Sequence, residues 1–271
     1  MKKTIILKQM SIVIFPLIFL LFLSPVVFTG CAKKSSGRQY AGQLKPGSAE
    51  YILNEGIFYL NTGNIKMAEK KLLRALKKKP TLLPAINGLG IVYLNKREFD
   101  KAIKYFKKVI QINPRYFDTY NYLGVIYSET GKYNMAKEHL LVAANAEKYR
   151  TPENAFVNLA QLEVRQNKFK SAMRYVEKGL EKNERFAPLY NLKGIVLENQ
   201  EEYWRAIRAY KKALSLLTEE DVDYLVNVAR VYSKMGEKDK ALDIIERALS
   251  KAYTPQQKDR IREMIKNIEK K

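Results

Sequence analysis

The chain has 271 residues, room for one or two globular domains, and a formal net charge of +21 from 49 Lys and Arg against 28 Asp and Glu. Its single cysteine excludes an internal disulfide and any CxxC metal site. The positive excess is uneven: residues 31–48 hold four basic and no acidic side chains, and residues 49–116 hold fourteen basic against five acidic.

Lys2, Lys3 and Lys8 precede an uncharged apolar run from Met10 to Phe28, the form of an export signal. Pro16 and Pro25 interrupt its helical potential, although a run of about twenty apolar residues is also long enough to span a bilayer uncleaved. The run ends Phe28-Thr29-Gly30-Cys31, which resembles the lipobox of bacterial lipoproteins with Phe28 in place of the usual Leu. That resemblance implies a signal peptide over residues 1–30, cut before Cys31, and acyl chains such as palmitate on the cysteine; no other cofactor is expected. More than one chain on one cysteine exceeds the single-chain case of marginal attachment. Ala32 stands where an inner-membrane retention signal places Asp, so in a cell with two membranes the address resembles that of the outer one. Residues 31–48 are rich in Ser, Gly and Lys and lack periodicity, and read as a tether with a coil reach of about 20 to 25 Å. Cleaved or not, the remainder is expected outside the cytoplasmic membrane and on a membrane surface, where nucleic acid is a poor partner.

From residue 49 a helical pattern repeats. In Thr119 to Ala144, Tyr120, Leu123, Gly124 and Tyr127 share one helical face, Gly131 breaks the pattern, and Tyr133, Ala136, Leu140 and Ala143 resume it. This predicts two helices folded back on each other, with small Gly124 and Ala136 at their crossing. One hairpin cannot bury its own apolar faces, and the pattern recurs. The first-helix marker appears as Gly56, Gly90, Gly124, Ala160, Gly194 and Ala229, and the second-helix marker as Ala68, Ala102, Ala136, Ala172, Ala206 and Ala241. Both series step by 34, 34, 36, 34 and 35 residues.

Ile86, Leu89, Gly90, Tyr93, Ala102, Phe106 and Pro114 resemble the signature of the tetratricopeptide repeat family. Departures are Glu163 in the place of Tyr93 and Tyr127, and Glu55 and Lys193 in the place of Leu123. The resemblance implies an all-α, right-handed solenoid of six hairpins, at 49–82, 83–116, 117–150, 153–186, 187–221 and 222–255, closed by a capping helix over 256–271. It also implies that first helices line a concave groove. The groove candidates are Leu53, Ile57 and Leu60, then Asn87, Ile91 and Leu94, then Asn121 and Val125, an apolar row that turns polar toward Glu198 and Arg230. Such a row can seat a peptide, with Asn87, Asn121 and Asn191 offering donors and acceptors, unless the tether or neighbouring repeats cover it. Asn158 and Asn227 are more often structural in that family.

A second candidate surface is the basic outer face of the first two repeats, Lys70, Lys71 and Arg74, then Lys101, Lys104 and Lys108. It suits contact with anionic lipid or cell-wall polymer, although a solvated helix face is the more ordinary source of such a pattern. Thr254-Pro255 followed by Ile261, Met264, Ile265 and Ile268 is the start and apolar stripe of the terminal cap. Catalytic machinery is not expected: His139, the only histidine, has no patterned partner, no phosphate-cradling loop occurs, and no metal-ligand cluster is spaced to form.

Together these features resemble the PilF/PilW/Tgl family of type IV pilus biogenesis lipoproteins. The likeness includes a long third connection through Tyr149-Arg150-Thr151-Pro152-Glu153, where the step of 36 arises. The family implies a pilotin: a non-catalytic scaffold that binds a secretin subunit and promotes its localisation and multimer assembly. Alternatives are an envelope adaptor that presents substrates to a protease or cell-wall enzyme, and a lipoprotein of another secretion or export machine.

Overall fold

The computed structural model describes residues 44–270. The expected signal peptide, Cys31 and most of the tether lie outside the described residues. Thirteen helices follow one another from residue 49. They form six hairpins: α1 (Ala49–Asn61) with α2 (Ile65–Lys78), α3 (Leu83–Asn95) with α4 (Phe99–Ile112), α5 (Phe117–Glu129) with α6 (Tyr133–Ala144), α7 (Pro152–Arg165) with α8 (Phe169–Lys182), α9 (Ala187–Asn199) with α10 (Tyr203–Ser215), and α11 (Val222–Lys234) with α12 (Lys238–Lys251). The last helix, α13 (Pro255–Glu269), packs on α12.

Within each hairpin the helices approach closely because small residues stand at the crossing. A Cβ on Gly90 would sit 2.4 Å from the Phe106 ring, and one on Gly124 would sit 2.4 Å from Leu140 Cγ and 3.2 Å from the Ala136 carbonyl. A side chain at either would drive the helices apart, and the other marker positions hold Gly or Ala as well. The tight turn inside every hairpin passes through one left-handed residue. Gly63, Gly131 and Gly236 adopt it, but so do Arg97, Asn167 and Glu201, with φ of 59°, 57° and 62°. These six turn residues step along the chain by the same intervals as the helix markers.

Each odd-numbered helix from α1 to α9 touches the next odd-numbered one, whereas neighbouring even-numbered helices share no comparable contact. Successive hairpins are therefore closer on the odd side, which is the concave side of the stack. The core follows as an apolar seam between the two helix rows, filled by Ile52, Leu72, Leu89, Phe106, Leu123, Leu140, Leu159, Val176, Leu189, Tyr210 and Ile245, all less than 2% exposed. The connection at 145–151 is longer than the other inter-repeat links and folds back on its own repeat. There the Tyr149 hydroxyl donates to Asp118 at 2.9 Å and its ring lies 6.2 Å from that of Phe117.

The C-terminal helix starts where its sequence directs. Thr254 Oγ1 accepts from the Gln257 amide at 3.1 Å, Gln257 Oε1 accepts from the Thr254 amide at 3.3 Å, and Pro255 occupies the first turn. Ile261 and Ile268 are buried against the sixth hairpin, Met264 and Ile265 are half-buried, and Arg262, Glu263, Lys266 and Asn267 face water. Among the described residues no helix is long and apolar enough to cross a membrane.

Candidate functional site

The concave row is built by residues on successive odd helices, and its two halves differ. In the N-terminal half Ile57, Leu60, Ile91 and Leu94 pack one flank on the core and leave the other exposed, and Val125 is also half-buried. Leu53 and Asn87 depart from the expected groove. Leu53 is only 9% exposed, taken up by the α1–α2 core. Asn87 is 7% exposed, and its Oδ1 accepts from the Thr119 hydroxyl at 3.1 Å, tying the second repeat to the third.

The other asparagines are used in the same way. Asn121 Oδ1 accepts from Asn158 Nδ2 at 2.9 Å, and Asn191 Oδ1 accepts from Asn227 Nδ2 at 2.9 Å. Their acceptors are thus committed to stitching adjacent repeats, so the expected donor–acceptor pairs reduce to donors. The Nδ2 groups of Asn121 and Asn191 have no acceptor among the described residues and remain available to a peptide carbonyl.

The C-terminal half is closed by charge. Glu198, 4% exposed, accepts from Arg230 Nε and a second guanidinium nitrogen, each at 2.8 Å, from the Tyr210 hydroxyl at 2.8 Å, and pairs with Lys234 Nζ at 2.9 Å. Burial alone would raise this carboxyl, but the hydrogen bonds and charge of Arg230, with Lys234 and Tyr210, overcome it and hold the pKa at about 2. A side chain expected to face a guest is instead the hub of an internal network.

Glu163, at a signature tyrosine position, is explained by the same inter-repeat logic. In the second repeat the Tyr93 hydroxyl donates to Glu69 on α2 at 2.8 Å. In the fourth repeat, Lys137 on α6 donates to Glu163 at 2.7 Å, and Glu163 is 1% exposed. Lys137 and Glu69 occupy corresponding positions two repeats apart, so the donor has moved from the first helix to the second and the contact survives.

The basic outer face is also smaller than expected. Lys70, Arg74, Lys104 and Lys108 are exposed, with no ion pair among the described residues. Lys71 instead turns inward to Glu55 at 2.6 Å, whereas Lys101 stays exposed, ion-paired with Glu98 at 2.5 Å and lying over the Tyr93 ring. His139 is half-buried between the Tyr120 and Tyr127 rings, with Nδ1 2.9 Å from the Met135 carbonyl oxygen.

Family models described as tetratricopeptide repeat match residues 84–116, 105–138 and 225–259, and one described as a tetratricopeptide repeat-like domain matches residues 122–228. The chain is a tetratricopeptide-repeat protein. Among solved structures this repeat protein is similar to Pseudomonas aeruginosa PilF, with 21% identity and a TM-score of 0.64 over 84% of this chain and 100% of that one. It is also similar to PilW, described as a widely conserved type IV pilus biogenesis factor, with 18% identity and a TM-score of 0.68 over 79% of this chain and 97% of that one. A Cut9–Hcn1 assembly of the APC/C matches with 20% identity and a TM-score of 0.70, over 85% of this chain and 44% of that one. At such identities the likeness shows the fold. No curated protein matches the chain.

Proposed function

We propose that this repeat protein is a non-catalytic scaffold, exported and held on a membrane through acylated Cys31, whose groove receives a protein client and assists assembly of an envelope machine. The client we favour is a secretin subunit or another component of type IV pilus biogenesis, at the periplasmic face of the outer membrane. The observation that carries the reading is the half-exposed apolar row Ile57, Leu60, Ile91, Leu94 and Val125, flanked by the free amide donor of Asn121. An extended or helical segment can bury its own apolar side chains against this row. The full-length match to PilF and the near full-length match to PilW support the choice of machine. Confinement of a client to a membrane plane raises its effective concentration without new contacts, which suits assembly of a many-subunit ring.

The test is to delete the gene, restore it as wild type or as Leu94→Asp, and assay heat-resistant secretin multimers. Loss of multimers in the deletion and the variant, with the variant's helix content unchanged, is expected; multimers that persist in the deletion would remove the secretin from the proposal. Cys31→Ser is expected to release the protein from membranes and misplace the client.

A further inference from the structure

The first helix carries a face that repeats two to five cover. Tyr51 and Phe58 are 38% and 60% exposed. Their counterparts one repeat on, Ala85 and Val92, are 0% exposed, as are Thr119 and Ile126, Ala155 and Leu162, and Leu189 and Val196, each pair pressed against the preceding hairpin. Glu55 lies on the same face, where the repeat signature places a buried leucine, and Lys71 neutralises it. Beside this face α2 exposes Lys66, Lys70, Arg74, Lys77 and Lys78, none of them ion-paired among the described residues.

We propose that this N-terminal end face, with Tyr51 and Phe58 at its centre, docks on the anionic surface of the bilayer that holds Cys31. The proposal rests on the anchoring described above. Leu44 follows Cys31 by thirteen positions, so even fully extended that segment keeps Leu44 within about 45 Å of the anchor. Residues 32–43 contain one large apolar side chain, Tyr40, too little to cover both Tyr51 and Phe58. A second copy placed face to face would set the basic rows of two α2 helices side by side, whereas lipid phosphates complement them. Aromatic side chains flanked by lysines are what the water–lipid interface accepts. Docked in this way, the stack stands on its first repeat with Ile57 and Leu60 next to the membrane.

Trp204, exposed on α10 in the fifth repeat, is the only tryptophan and serves as an internal reference. The test uses the full acylated chain reconstituted into phosphatidylethanolamine–phosphatidylglycerol vesicles with brominated acyl chains. Wild type, with Trp204 as reporter, is compared with the double variant Phe58→Trp, Trp204→Phe. The expected result is blue-shifted emission from position 58 and quenching several-fold greater than that of Trp204, reduced when Lys66→Glu and Lys70→Glu are added. Protein that floats with the vesicles but shows no more quenching at 58 than at 204 would overturn the docking while leaving the anchor in place. Protein that does not float would overturn both. Emission at 58 that is blue-shifted without quenching would mean that the chain itself or a second copy covers the face, which also overturns the proposal. Tyr51→Trp, Trp204→Phe gives the same readout should the first variant misfold.

Discussion

The two ends of this stack are finished differently. At the C-terminal end α13 lays Ile261 and Ile268 over the sixth hairpin and turns a charged face outward, so the repeat interface ends in water-compatible surface. At the N-terminal end no described residue seals the same kind of interface, and Tyr51 and Phe58 stand exposed where repeats two to five are sealed. The groove follows the same polarity, apolar and partly open over the first three repeats, then closed around Glu198 by Arg230 and Lys234. A repeat array needs only one sealed end if something outside it covers the other, and in the sequence the expected signal run and Cys31 precede α1.

The largest expected effect comes from breaking the seal. Ile261→Asp puts an unpaired carboxylate into a site 1% exposed and is expected to cost about 3–5 kcal/mol, read as a Tm lower by roughly 10 °C. Next is the charge that closes the C-terminal groove. The folded Glu198 pKa of about 2 lies below its ordinary value of 4.5, so its stabilisation is fully present above pH 4.5 and is lost as pH falls toward 2. That contribution is of order 3 kcal/mol. Urea unfolding from pH 6 to pH 2 is expected to show a steeper acid loss in wild type than in Glu198→Gln. A smaller change of opposite sign is expected from Glu201→Gly, which relieves a left-handed non-glycine turn and should add about 1 kcal/mol to the unfolding free energy. The smallest is Phe58→Asp, expected within about 0.5 kcal/mol of wild type in water because the side chain is 60% exposed among the described residues. A large loss there would erase the contrast between the ends.

What was legible in the sequence was whatever repeats locally. The spacing of Gly124 and Ala136 marked the helix crossing because the constraint lies within one hairpin, and Thr254-Pro255 marked the start of the cap because its hydrogen bonds stay within one turn. The contacts between repeats were not legible. Asn87 with Thr119, Glu163 with Lys137 and Glu198 with Arg230 meet only after the hairpins stack, and their separations of 26 to 32 residues follow no helical period. Those contacts are what removed Asn87 from the groove. Lys71 left the basic face for a related reason, since its partner Glu55 lies across the hairpin. One signal was available: Glu163 breaks the tyrosine signature where Lys137 replaces the equivalent of Glu69, a paired exchange one repeat interface apart.

The most direct measurement is site-specific photo-cross-linking in cells, with a photoreactive phenylalanine analogue placed in turn at Ile57, Leu94 and Val226, the half-buried sixth-repeat counterpart of Leu53 on α11. Cross-links to one envelope client from positions 57 and 94, with none from 226, are the result expected of a groove open at its N-terminal half. Capture from 226 alone, or equal capture from all three, would contradict it.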